Sequence, residues 1–195
     1  MNKRDFLTAS LLGATALPVH AASKGKQKGP TLLTISGAIA KRNRGALDPA
    51  LDQLMLKQKL HFDSAFCFDF AALASLPAQQ IRPTLEYDSR PHALSGPLLT
   101  TVLETAGVGG GANPNVLLRA IDGYAVVLPL ADVRTLRMLV ATHLDGEPLP
   151  LGGLGPLWAV FDADRIPSFA AKPLKDRFAN CPWGLYHIEV QALTA

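Results

Sequence analysis

The side chains best equipped for chemistry fall in one short stretch, "TLEYDSRPHALSGPLL" (84–99). Within it Tyr87 offers a phenol, Asp88 a carboxylate, Arg90 a guanidinium and His92 an imidazole. Arg90 and His92 can bind an anion or an oxygenated ligand, and His92 titrates close to physiological pH. The ordinary alternative is a solvated loop whose polar groups bond to water and to one another. A second group, Asp122-Gly123-Tyr124, invites a catalytic reading, yet an Asp-Gly pair between two apolar runs is already a hairpin signal. His61, His143 and His187 have no paired ligand spacing, which argues against zinc or copper. "TISGA" and "ALSGP" lack the first glycine of a nucleophile elbow, so serine hydrolysis has no support. The glycine-rich "GVGGGANPN" (107–115) leaves a helix and precedes a strand, the wrong order for a phosphate cradle, and reads as a linker. Arg165 and "KPLKDR" (172–177) read as a solvated connection, and Trp183 and Tyr186 as core.

These residues need a scaffold, and length and composition bound it. Residues 1–22 have a basic start at Lys3 and Arg4, an apolar run from Phe6 to Leu17, and a small-residue end. That is the layout of a secretory signal peptide, with an apolar run too short to span a bilayer. "KRDFL" also approaches a twin-arginine export signal, with Lys3 where an arginine is expected. A basic linker (23–30) follows, and residues 31–195 are expected to form one domain with a substantial core. The whole chain carries a net charge of +3, of which Lys3, Arg4 and Asp5 contribute +1 and Lys24, Lys26 and Lys28 contribute +3, leaving −1 for the rest. The basic character therefore belongs to the leader and linker, and nucleic acid is not an expected partner. The expected location is the periplasm, with no membrane association after cleavage of the leader. Cys67 and Cys181 would enter an oxidising compartment either as two buried thiols or as a disulfide worth up to ~4–5 kcal/mol.

Patterning predicts the elements that position the loop. "TLLTISGAI" (31–39) reads as a strand. Residues 48–60 read as a helix with Leu51, Leu54, Met55 and Leu60 on one side and Pro49 in its first turn. Asp69 is placed to cap a short helix over "FAALASL", and "QQIRPTLEY" reads as a strand region broken by Pro83. After the loop, a helix capped by Ser95, with Pro97 in its first turn, is expected to end at Gly107. Asp122-Gly123 and Asp145-Gly146 each suit a type I′ hairpin turn. "GPLWAVF" reads as a central strand and "GLYHIEV" as a closing one. Many strands with few helices make the fold class α+β, too poor in helices for a doubly wound sheet.

The order "FDFAALASLP", "TLEY", "SGPLLTTVLETAGV", "AIDGYAVVLPLADV", "VATHLDGEPL", "GPLWAVFD", "WGLYHIEV" resembles the oxidoreductase molybdopterin-binding domain of sulfite oxidases and related periplasmic reductases. It is most similar to their short, exported, single-domain bacterial branch, over residues 31–191. The resemblance implies layered, mostly antiparallel sheets with a β-grasp-like portion, and in the enzymes a molybdenum ion carried by a pterin. There the metal takes a cysteine thiolate at the position matched here by Tyr87. By the same resemblance Tyr87, Arg90, His92, Asp122 and Tyr124 are the positions that would line the cofactor groove, and no metal ligand is expected among them. A phenol with an ordinary pKa near 10 and a bulky ring is no like-for-like substitute for a soft thiolate. An arginine expected after "GPL" is replaced by Trp158, and an indole cannot make a bidentate contact with an oxyanion.

Two functions from different classes follow. One is a molybdopterin-dependent oxidoreductase or electron-transfer protein with atypical cofactor ligation. The other is a descendant that lacks the cofactor and binds a small polar ligand or a periplasmic protein in the inherited groove. The residue chemistry favours the second, because a fold does not carry its chemistry when the key atom is gone.

Overall fold

The computed structural model describes residues 29–110 and 113–192. The expected leader, linker residues 23–28, and Gly111 and Ala112 of the glycine loop lie outside the described residues. The apolar, β-branched N-terminal run forms β1 (Thr31–Gly37). An excursion carrying α1 (Gln53–Lys57) leads to β2 (Ala65–Asp69), which returns antiparallel beside β1. Asp69 ends that strand and caps α2 (Phe70–Ala74), its Oδ1 accepting the Ala72 N–H at 2.7 Å, as its position predicts. β3 (Ala78–Ile81) and β4 (Leu94–Pro97) pair across the loop between them, and α3 (Leu99–Thr105) follows. β5 (Asn115–Ala120) and β6 (Ala125–Pro129) make the first expected hairpin. Then come α4 (Leu130–Thr135), β7 (Leu139–Ala141), and the short hairpin of β8 (His143–Leu144) and β9 (Glu147–Pro148). β10 (Trp158–Val160), α5 (Pro167–Ala170) and β11 (Leu185–Val190) complete the chain.

The strands form a five-stranded sheet in the order β2-β1-β11-β5-β6, a four-stranded sheet β3-β4-β8-β9 and a two-stranded ladder β10-β7. All the named pairings are antiparallel except β1 with β11. The fold is thus α+β with short helices, as expected. One face of the large sheet (Leu33, Ile35, Leu118, Ile188) packs into the main core with Leu99, Leu103, Trp158 and Phe161. Its other face carries Thr34, Ser36, Cys67 and His187, and is covered by a smaller cluster containing Met55, Leu60 and Phe62. Two pairs of polar groups meet on that covered face, Ser36 Oγ 3.0 Å from His187 Nε2 and Thr34 Oγ1 3.6 Å from Cys67 Sγ, while His187 Nδ1 is buried without a partner. Burial pushes His187 down to about 3, so its ring is neutral packing material at physiological pH.

Five expectations need correction. Only residues 53–57 of the predicted 48–60 helix are helical. The Asp48 carboxylate instead accepts the Ala50 and Leu51 N–H groups, which holds the start of the segment in a turn. Met55 and Leu60 are buried, but Leu51 is 82% exposed and Leu54 is exposed as well. Ser95 and Pro97 belong to β4 rather than to a helix start. Their strand pairs with both β3 and β8, and the Ser95 carbonyl accepts the Thr142 N–H, so ladder bonds outweigh the local capping preference. "TLEY" is no strand: Thr84 makes one isolated bridge to Pro91 and residues 86–88 form a turn. At Asp122-Gly123 only the glycine has positive φ (95°), which excludes type I′, whereas Asp145 and Gly146 are both left-handed (50° and 91°) and fit it. "WAV" is fully buried but lies in the two-stranded ladder, and β11 and β1 hold the centre. Of the two states open to the cysteines, both are buried thiols without a disulfide.

Gly96 marks the closest approach between sheet layers. A Cβ there would stand 2.1 Å from the Val140 carbonyl oxygen, a backbone atom that cannot swing aside. Gly96→Ala is expected to destabilise the protein by about 2–4 kcal/mol in equilibrium denaturation. A change below about 0.5 kcal/mol would mean that β4 and β7 are not packed this closely.

Candidate functional site

Three segments remote in sequence meet at the N-terminal end of β11 and enclose a cavity of about 210 Å³. The first is the 84–89 turn. Leu85 is buried beneath it, its N–H donates to the Arg90 carbonyl at 2.9 Å, and the Thr84 N–H donates to Asp164 Oδ2 at 2.7 Å. This presents Glu86 and Tyr87 to the cavity. The second is the β5–β6 turn, where Asp122 Oδ1 accepts the Tyr124 N–H at 2.9 Å and the Ile121 N–H donates to the Gly184 carbonyl at 3.0 Å. The Tyr124 hydroxyl donates to the Ala179 carbonyl, tying this turn to the third wall.

That third wall, residues 178–183, is pinned from beneath by β10. The Ala159 N–H donates to the Pro182 carbonyl at 3.1 Å, and the Trp158 indole N–H donates to the Cys181 carbonyl at 2.9 Å. Trp158 is thus a buried support, 6.0 Å ring to ring from Phe178. Arg177 anchors the upstream end, donating to Asp164 Oδ1 at 2.7 Å and to the Ala170 carbonyl at 2.8 Å. One carboxylate, Asp164, therefore ties the first wall to the third. Burial works to raise the Asp164 carboxyl, but the Thr84 hydrogen bonds and the Arg177 guanidinium outweigh it and hold it below the usual range.

Tyr87, Tyr124 and Trp183 are 56%, 44% and 37% exposed. They are the exposed large aromatic side chains among the described residues, and all three line this cavity. Glu86 and Asp122 add two carboxylates, and no lysine, arginine or histidine belongs to the lining. Partial burial, reinforced by the Glu86 carboxylate, pushes the Tyr87 phenol up to about 12, against a hydrogen bond with Trp183 that acts in the opposite direction. The Cys181 thiol also lies in the wall, and full burial pushes it up, so it stays protonated.

The fold therefore unites three of the five residues singled out in the sequence: Tyr87, Asp122 and Tyr124. It separates Arg90 and His92 from them. Arg90 is exposed and outside the lining. His92 is clamped, its Nδ1 2.6 Å from Asp145 Oδ2 and its Nε2 2.9 Å from Asp88 Oδ2, while the Ala93 N–H donates to Asp145 Oδ1 at 2.8 Å. This cluster staples the 87–93 loop to the β8–β9 turn. Trp183, read from sequence as core, is a pocket wall, while Tyr186 is buried as expected. The missed signal lay in its neighbours: Pro182 and Gly184 take Trp183 out of the strand's alternation and into the approach to it. Arg177, read as solvated, is a structural anchor.

The crystal structure of the sulfane dehydrogenase SoxCD from Paracoccus pantotrophus is similar to this chain, with a TM-score of 0.51 at 14% sequence identity. The match covers 82% of this chain and 37% of that one, and at such identity the likeness is one of fold. No family model and no curated protein matches the sequence.

The clamp gives His92 a testable titration. Hydrogen bonds donated to Asp145 and then to Asp88 favour the imidazolium and raise His92 above 6.5, and both carboxyls are correspondingly lowered. A raised histidine stabilises the fold below its unfolded pKa and loses that contribution as pH rises through the folded one. The lowered carboxyls lose theirs as pH falls through the folded values. The clamp is thus strongest between about pH 5 and 6. NMR should find the His92 ring titrating above 6.5, with Asp145→Asn moving it down. The melting-temperature gap between wild type and His92→Gln should narrow toward alkaline pH. A ring titrating at or below 6.5 would show that the clamp does not form in solution.

Proposed function

We propose that this protein is a periplasmic binding module built on a molybdopterin-oxidoreductase-type domain, which has lost the metal-ligand cysteine and holds a small polar ligand in the Tyr87 pocket. The observation that carries the reading is the convergence of Tyr87, Tyr124 and Trp183 with Glu86 and Asp122 on one cavity. Exposed aromatics cost solvation without contributing to the core, and their gathering at a concave, rigidly supported place is the usual mark of a ligand site. The fold likeness to a sulfane dehydrogenase agrees with the family resemblance in the sequence and supports the inherited groove.

The donor set supports loss of the cofactor. The ligand that the family resemblance implies is a soft, anionic thiolate, whereas the Tyr87 phenol, pushed up to about 12, is a neutral, harder oxygen donor at physiological pH. A pterin cofactor carries a phosphate, which calls for cations or a cluster of backbone N–H groups, and this lining supplies two carboxylates instead. These residues do not fit the group.

One observation favours the alternative, an oxidoreductase with atypical ligation: Cys181 belongs to the same cavity wall as Tyr87. Its use as a ligand would require a thiolate where full burial opposes one. Metal and pterin analysis of protein exported from cells that make the cofactor separates the two. The expected result is molybdenum far below stoichiometry, unchanged by Cys181→Ser. Stoichiometric molybdenum that is lost in Cys181→Ser would overturn the binding-module reading. For ligands found by screening, Tyr87→Ala and Trp183→Ala should abolish binding while Arg90→Ala leaves it unchanged.

A further inference from the structure

Resting on that reading of the pocket, we infer that the ligand is a small organic cation with a compact ammonium head, received by the faces of Tyr87, Tyr124 and Trp183 with Glu86 and Asp122 as counter-charges. Aromatic rings present a negative quadrupole face, and a set of them around a partly dry cavity selects an ammonium over a neutral group of the same shape. The two carboxylates act in the same direction, and no basic side chain in the lining opposes them. The charge of the pocket is local. An arginine-lined hollow lies elsewhere, between β3 and the end of α4, where Arg137 and Arg165 border a cavity of about 350 Å³.

Support for two of the three rings is visible in the fold. The Tyr124 hydroxyl is held by the Ala179 carbonyl, which fixes the ring rather than leaving it free to rotate away. Trp183 is set by its bridge to Trp158 and by the Pro182 carbonyl bond beside it. Asp122 is exposed and uses its Oδ1 on the Tyr124 N–H, which leaves Oδ2 to face a ligand. A cavity of about 210 Å³ is smaller than the ~300–1,000 Å³ typical of drug-sized ligands, so it suits a headgroup rather than an extended molecule.

The test uses three isosteric probes on the purified domain: choline, the neutral 3,3-dimethyl-1-butanol and the anionic 3,3-dimethylbutyrate. Binding is followed by tryptophan fluorescence and calorimetry. Trp158 is buried, so the fluorescence change should come from Trp183 and vanish in Trp183→Phe. The expected result is choline binding about tenfold more tightly than the alcohol, with no measurable binding of the carboxylate. Added salt should weaken choline alone. Glu86→Gln and Asp122→Asn should each weaken choline several-fold and leave the alcohol unchanged. The asparagine keeps an acceptor for the Tyr124 N–H, so the turn survives. Equal or tighter binding of the alcohol or the carboxylate would overturn the inference, as would absence of saturable binding by both choline and methylammonium. If a screened neutral or anionic ligand then binds in a Trp183-dependent way, the binding module stands and only the cation assignment falls. Ligands that all bind independently of Tyr87 and Trp183 would remove both.

Discussion

The parallel pairing of β1 with β11 is the constraint on which the remainder of this fold depends. It joins residues such as Ser36 and His187, 151 positions apart, at the middle of the largest sheet. Closing so long a loop is slow, but its entropic cost grows only with the logarithm of length, and a strand buried on both faces offsets it. Leu185, Ile188 and Val190 lie almost wholly within the core. The register of β11 also determines where its approach must run. Leu185 is opposite Ala120, and the Leu185 N–H bonds to the Leu157 carbonyl. Residues 181–184 are thereby forced between the β5–β6 turn and β10, which is where Trp183 becomes a wall.

A second, smaller constraint completes the pocket. The 84–89 turn has little secondary structure of its own, and it is held by the buried Leu85 and by Asp164. Because the same carboxylate receives Arg177, the turn and the 178–183 segment are fixed relative to each other through a single side chain. Such a bridge is worth more than an exposed ion pair, since it also satisfies a backbone N–H that would otherwise lack a partner. The contrast with the His92 clamp is instructive. That clamp joins the same loop to the β8–β9 turn of its own four-stranded sheet through exposed carboxylates, so it tunes the loop's attachment with pH without shaping the cavity.

What could be read from the sequence follows from the range of the interactions concerned. Asp69 caps its helix through a residue three positions on, and Asp145-Gly146 turns on its own backbone, so both were legible. Ser95 and Pro97 carry an equally strong local signal, yet their fate was decided by strands on either side, one of them nearly 50 residues away. His92 was legible as a titrating group but not as a staple, because Asp145 reaches it from 53 positions further along. Tyr87, Asp122 and Tyr124 were identified as pocket residues through family resemblance alone. Nothing in local spacing brings residues 87 and 122 together; the sheet does. Trp183 and Trp158 have the same side chain, and only the placement of β10 beneath the approach to β11 decides which is buried.

Under the proposed reading, a phenol at position 87 in place of a thiol changes more than one ligand. A thiolate bound to a metal would sit in a neighbourhood that tolerates or requires positive charge, from the ion itself and from groups that hold an anionic cofactor. Once the ion is gone, those cations would be left buried without counter-charge, a costly arrangement that invites replacement. The lining of the Tyr87 cavity has no such cations: rings and carboxylates occupy it, and arginines do not. Trp158 is a buried strut whose indole N–H holds the Cys181 carbonyl and supports the wall from behind. A thiol introduced at position 87 alone would therefore stand beside two carboxylates, which disfavour a thiolate, and would have no cation in the lining to support it.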